Sequence, residues 1–246
     1  MFRTSLPARR SRCIGFASSL ALALALAGGV SVGVIAFAAP ALAAKKPKDE
    51  PAAASATKTT YTKSFVDAYK QVEDVVKAAQ DAAGAQRAVP LVQPLIDKIS
   101  NEDERNVAGQ LVVQVGLKLN DKKVQRQGLI LQLDSGKVSD DRKALFNYYV
   151  GGISWEDKEY DLAQKYLALA FELGHRGDDI ESLLASTYFE RDQYDAGFAE
   201  LKRMETVREA AGSALPDLAI RTGLQAAYDQ GKAEQVADFA ALLVKH

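Results

Sequence analysis

The sequence predicts an all-α protein, a solenoid of antiparallel helix pairs. Three observations carry that expectation. Two stretches repeat 34 residues apart, Trp155-Glu156-Asp157-Lys158-Glu159-Tyr160 and Phe189-Glu190-Arg191-Asp192-Gln193-Tyr194, with Ala163 answered by Gly197. That interval is the period of a helix–turn–helix repeat. From Tyr61 onward, apolar residues recur at three-and-four spacing, as in Phe65, Val66, Tyr69, Val72, Val75 and Val76. Gly84, Gly136, Gly174, Gly212 and Gly231 then read as the ends of successive helices along the chain.

The N-terminus stands apart from this pattern. Arg3, Arg9, Arg10 and Arg12 form a basic opening, and an uncharged run from Cys13 to Ala44 follows. The run ends in Pro40-Ala41-Leu42-Ala43, a small-x-small site, with Lys45 and Lys46 beyond. Residues 1–43 therefore read as a secretory signal peptide. The competing reading is a retained N-terminal membrane anchor, since the run is long enough to span a bilayer. Either way the basic flank stays cytoplasmic and the remainder is exported, most simply to a periplasm. Ser11-Arg12-Cys13 lacks the hydrophobic pair of a twin-arginine signal, and Cys13 precedes the apolar run, where a lipoprotein cysteine would end it. It is the single cysteine, so the processed chain has no disulfide, thiolate metal site or cysteine nucleophile.

Residues 44–60 hold no large apolar side chain and read as a flexible linker. Residues 61–140 then read as degenerate helical pairs. The first helix opens at Thr62 or Ser64 and closes at Gly84; the next, 87–99, starts near Pro90 or kinks at Pro94. Asn101-Glu102-Asp103-Glu104 caps a third helix that runs to Asn120, with acid at its positive end. A fourth spans 122–133 and stops at Asp134-Ser135-Gly136. Val112-Val113 and 129–131 have no alternating partner segments, so they too read as helical. Residues 141–246 hold the clearer repeats: helices over 141–157 and 160–173, 178–191 and 194–211, then 216–230 and 233–245. Pro216 suits a first helical turn.

These repeats resemble the tetratricopeptide family. Val150-Gly151 and Leu184-Ala185 match its small crossing position on the first helix of each pair, helix A. Tyr160 and Tyr194 match the aromatic that opens the second, helix B, and Ala163 and Ala170 match its small positions. Gly197 and Met204 depart from the usual alanines. Tyr228-Asp229-Gln230-Gly231-Lys232 resembles the family's turn, 39 residues after Phe189 because five residues are inserted around 210–215. The resemblance is good over 144–211, extends to 246 and is weak over 62–135. It implies a right-handed superhelical solenoid whose A helices line a concave groove, and a protein or peptide partner. The whole resembles small exported repeat proteins of Gram-negative bacteria.

Catalytic signatures are absent: there is no His-Glu-x-x-His, no Gly-x-Ser-x-Gly and no phosphate-binding loop. His175 and His246 are the two histidines. His175 follows Gly174 at a helix end, where a structural role is the simpler reading, and His246 ends the chain. The acid pairs Asp140-Asp141, Asp178-Asp179 and Glu156-Asp157 sit mostly at helix boundaries, which accounts for them without calcium or acid–base chemistry. The expectation is no enzyme, no cofactor and no metal. The leader carries four of the 31 basic residues and none of the 32 acidic ones, so the remainder is five charges negative. That argues against nucleic acid, which wants a basic face. It leaves the membrane as a partner only through an uncleaved N-terminal segment.

The sharper signal is an aromatic followed by an acid at the end of each helix A: Trp155-Glu156, Phe189-Glu190 and Tyr228-Asp229. Stacked, these six residues would form a ladder of aromatic anchors and carboxylates along one rim, suited to a cationic peptide or basic helix. The alternative is that the aromatics pack between repeats and the acids are solvated. The functional expectation is an exported scaffold binding a protein or peptide in the cell envelope. A structural accessory subunit docking by its convex surface is the second reading, and an envelope hydrolase a distant third.

Overall fold

The computed structural model describes residues 61–177 and 179–245. The leader and linker expectations, Asp178 and His246 lie outside those residues. Eleven α-helices follow one another without a strand among the described residues. They are α1 Lys63–Ala78, α2 Ala82–Ala85, α3 Val89–Ile96, α4 Glu102–Leu119, α5 Lys122–Asp134, α6 Asp140–Glu156, α7 Tyr160–Glu172, α8 Ile180–Phe189, α9 Tyr194–Ala210, α10 Asp217–Asp229 and α11 Ala233–Lys245. The fold is an all-α solenoid of antiparallel helix pairs. No described helix is long and apolar enough to cross a membrane.

The boundaries follow local chemistry. Asn101 caps α4 by accepting the Glu104 N–H at 2.9 Å, and Asp121 caps α5 by accepting the Lys123 and Val124 N–H groups. The first helix is shorter than its periodicity suggests. It ends at Ala78, and Asp81 starts a separate short helix by accepting the Gly84 N–H at 2.7 Å. Gly84 therefore lies inside α2 and stops nothing. Thr62 holds the N-cap position of α1, but its side chain does not cap. Pro90 sits in the first turn of α3, where its missing donor costs nothing, and Pro94 is accommodated inside it. Pro216 is the residue before α10 and not part of it.

One turn closes four successive hairpins. Asn120, Lys158, Asp192 and Gly231 all adopt positive φ, between 53° and 65°. In each case the next residue donates its N–H to a carbonyl five residues back: Asp121 to Gly116, Glu159 to Ser154, Gln193 to Tyr188 and Lys232 to Ala227, at 2.8 to 3.0 Å. This left-handed cap satisfies the last carbonyls of each A helix. The α4–α5 hairpin is thus built like the three pairs that follow it. Its helices touch backbone to backbone. A Cβ on Gly116 would stand 2.5 Å from the Gln125 nitrogen, and one on Gly128 2.5 Å from the Val113 nitrogen.

Two apolar cores lie in series. The first joins α1, α3 and α4 through Phe65, Val72, Leu95, Leu111 and Val115. The second runs through α7–α11 around Leu167, Phe171, Leu184, Leu201, Ile220 and Phe239. Between them, α5 and α6 are joined by a polar network. Arg126, only 12% exposed, binds Ser154 Oγ at 3.1 Å and Glu159 at 2.8 Å, and lies 3.4 Å from Asp157. Those contacts tie α5 to the end of α6 and to the turn after it, beside the buried Leu129, Phe146, Val150 and Ile153.

Candidate functional site

The three aromatic–acid pairs occupy equivalent places, each aromatic three residues before the positive-φ turn residue. Their surroundings differ. Trp155 is partly buried and packs on the second core. Phe189 also packs there: its ring stacks on Tyr194 at 5.9 Å between centroids, meets Phe198 at 5.3 Å and covers Gly197. Tyr228 is 73% exposed. The cause lies in helix B of the third unit. Ala233 stands where Tyr194 stands in the second unit, so no ring is there to stack on. Val236 stands where Gly197 stands, and its branched side chain packs on the core, so the glycine over which the Phe189 ring lies in the second unit has no counterpart in the third.

The acids are divided in the same way. Glu156 is bound by Lys122 at 2.5 Å, across the unit boundary. Glu190 accepts the Tyr160 hydroxyl at 3.3 Å, also across a boundary. Arg191 reaches Asp161 and Gln164, and Lys232 reaches Asp195 at 2.9 Å, so each turn is tied to the turn before it. Exposed pairs of this kind are each worth up to ~1 kcal/mol; their regular spacing sets register more than stability. Among the described residues Asp229 accepts only the neighbouring Gln225 amide, at 2.9 Å. The structure therefore does not assemble one ladder of six. It builds two rungs into the packing between units and leaves the third, Tyr228-Asp229, open.

A second polar cluster, not anticipated as a unit from the sequence, lies where α7 passes into α8. The His175 ring stacks on Tyr148 at 4.3 Å, and the Tyr148 hydroxyl donates to Asp179 at 2.8 Å. Burial pushes the Tyr148 phenol up, and the bond to Asp179 adds to that. Burial also holds His175 below its ordinary value, against the opposing pull of Asp179 and Glu181. Nearby, Glu181 is fully buried at the start of α8 and is held by Arg208 of α9 at 2.6 Å. The Arg176 guanidinium lies 4.0 Å from the Phe171 ring centre and donates to the Phe171 and His175 carbonyls. These contacts join four helices, α6 to α9, and the burial they create favours a neutral His175, in keeping with a structural role for that residue. Among the described residues no group of three His, Cys, Asp or Glu side chains is arranged to hold a metal ion. Glu181 leaves a sequence trace, an acid one residue into a helix, but its arginine lies 27 residues away.

Comparison with known proteins gives likeness at low identity. A crystal structure of a putative kinesin light chain from Podosopora anserina with nearly identical TPR-like repeats is 10% identical, with a TM-score of 0.41. The match covers 74% of this chain and 95% of that one. A crystal structure of a single-residue variant of that protein gives the same values. Pseudomonas aeruginosa pilF is also 10% identical, with a TM-score of 0.37 over 74% of this chain and 93% of its own. No family model matches the sequence, and no curated protein does.

Proposed function

We propose that this chain is an exported, non-catalytic scaffold that binds a protein or peptide in the cell envelope, with Tyr228 as the aromatic anchor of its binding rim. One observation carries the reading. The aromatic that packs inward in two units is 73% exposed in the third, where Ala233 and Val236 replace the Tyr194 and Gly197 that seat Phe189. Large aromatics in such positions supply much of the energy of interfaces. Asp229 beside it has no basic partner among the described residues, unlike Glu156, which supports a cationic segment as the occupant. Export rests on the basic opening and the uncharged run that follows it.

The test is photo-crosslinking in intact cells from a benzophenone side chain at position 228, with position 155 as the packed control. A single partner should crosslink from 228. Tyr228→Ala and Asp229→Asn should each weaken its binding at least ~10-fold, as removal of an interface anchor does. Binding by Tyr228→Ala equal to wild type would refute the reading. Intact mass of the purified protein reports whether the leader is removed.

A further inference from the structure

The last helix pair sits differently from the others. α6 packs on α5 and α8 on α7, each A helix on the B helix before it; α10 instead packs more on α8 than on α9. The Ser182 and Thr222 hydroxyls bond across that contact at 2.6 Å. A groove of about 590 Å³ is left between α9 and α11. Phe198, Phe239 and Leu242 contribute its apolar lining. Most of its charges are already matched. Asp195 is bound by Lys232 at 2.9 Å and Lys202 by Glu205 at 2.8 Å. Two others that line it, Asp238 and Lys245, make no direct ion pair among the described residues; Asp238 acts only at longer range, on Lys202 across the groove. They are opposite in sign, seven residues apart and on one face of α11.

We propose that this groove is a contact surface between two copies of the chain, packed about a twofold axis with their α11 helices antiparallel. A twofold contact requires a patch complementary to itself. Asp238 and Lys245 meet that requirement: the midpoint between them falls between Ala241 and Leu242, both of which line the groove. Antiparallel packing about that point brings Asp238 of each copy opposite Lys245 of the other. Ala241, small, then meets Leu242 across the axis. The helix dipoles also oppose one another favourably. An unrelated helix could use the same apolar floor but would have no need of an acid and a base placed symmetrically about its centre.

Sedimentation equilibrium of the purified protein tests this. Wild type should show a monomer–dimer equilibrium. Asp238→Lys and Lys245→Asp should each weaken the dimer about tenfold, because symmetry turns two attractive pairs repulsive at once. The double reversal Asp238→Lys/Lys245→Asp should restore it, and circular dichroism should show all three variants folded. Should a reversal unfold the chain, Asp238→Asn and Lys245→Gln serve in its place, each expected to weaken the dimer. A protein that stays monomeric at every soluble concentration overturns the proposal. So does a dimer indifferent to both single changes, or a double variant no better than the singles.

Discussion

The Phe189 ring lies so close over Gly197 that a Cβ there would stand 2.3 Å from its Cε1 atom. The glycine is what lets the second unit seat its aromatic between helices. Gly197→Ala should therefore destabilise the protein by about 1–3 kcal/mol through overpacking, and Phe189→Ala by ~3 kcal/mol through the space it leaves. The double substitution should cost clearly less than the sum, since the alanine methyl fills part of what the ring vacates. Urea unfolding of the four proteins measures this. Additive costs would show that the two residues do not share that space.

Adjacent glycines in α6 should respond in opposite directions. A Cβ on Gly151 would meet the Leu167 backbone nitrogen at 2.9 Å and its Cγ at 2.6 Å, whereas one on Gly152 meets nothing within 4 Å. Gly151→Ala should destabilise by about 1–3 kcal/mol. Gly152→Ala should stabilise by about 0.5–1 kcal/mol, the usual gain from removing glycine from a helix interior. Thermal melts of the two single variants are enough to check the sign of each.

How far the sequence speaks can be judged at such positions. The period, the helix pairs and the turn at Lys158, Asp192 and Gly231 are all legible, because they depend on local spacing and a repeated register. The fate of each aromatic is not read from its own position. Trp155, Phe189 and Tyr228 align, yet their burial depends on residues five and eight places later: Tyr160 and Ala163, Tyr194 and Gly197, Ala233 and Val236. Reading the three aromatics as equals hides that difference. The acids mislead for a similar reason, since the lysine that binds Glu156 lies 34 residues upstream in the preceding unit. Gly84 reads as the end of the first helix, when Asp81, three residues before it, starts a new short helix that contains it. In the α4–α5 hairpin, Gly109, Gly116 and Gly128 carried a signal of close helix approach that apolar periodicity alone does not register.

The buried pair between Glu181 and Arg208 ties α8 to α9. Arg208→Leu leaves a fully buried carboxylate without its cation and should destabilise by ~3–5 kcal/mol. Replacing both, as Glu181→Leu/Arg208→Leu, should recover much of that loss, because no buried charge then remains. Guanidinium chloride unfolding distinguishes the outcomes; a double variant as unstable as the single would mean the pair acts through shape and not charge.

Glu104 makes acid stability a test of how α1 is held. Its buried carboxylate accepts the Thr62 N–H at 2.6 Å and both the N–H and hydroxyl of Ser100 at 2.7 Å, fastening the start of α1 to the α3–α4 turn. Burial alone would push its carboxyl up, but these hydrogen bonds outweigh it and hold the group below the ordinary 4.5. A carboxyl depressed on folding contributes stability that is complete above its unfolded value and fades as pH falls through its folded one. Glu104→Gln, which keeps the shape and loses the charge, should cost about 2 kcal/mol at neutral pH, on the scale of hydrogen bonds to an ionised group. The gap between wild type and variant should hold down to about pH 4.5 and close below it, so wild type loses stability more steeply in acid. His175, held below its ordinary value by burial, destabilises both proteins as pH falls below its unfolded value and cancels in the comparison. Urea midpoints from neutral pH into acid, taken for both proteins, measure the gap directly. A gap that stays constant down to pH values where every carboxylate is protonated would show that the Glu104 charge does not hold α1 in place.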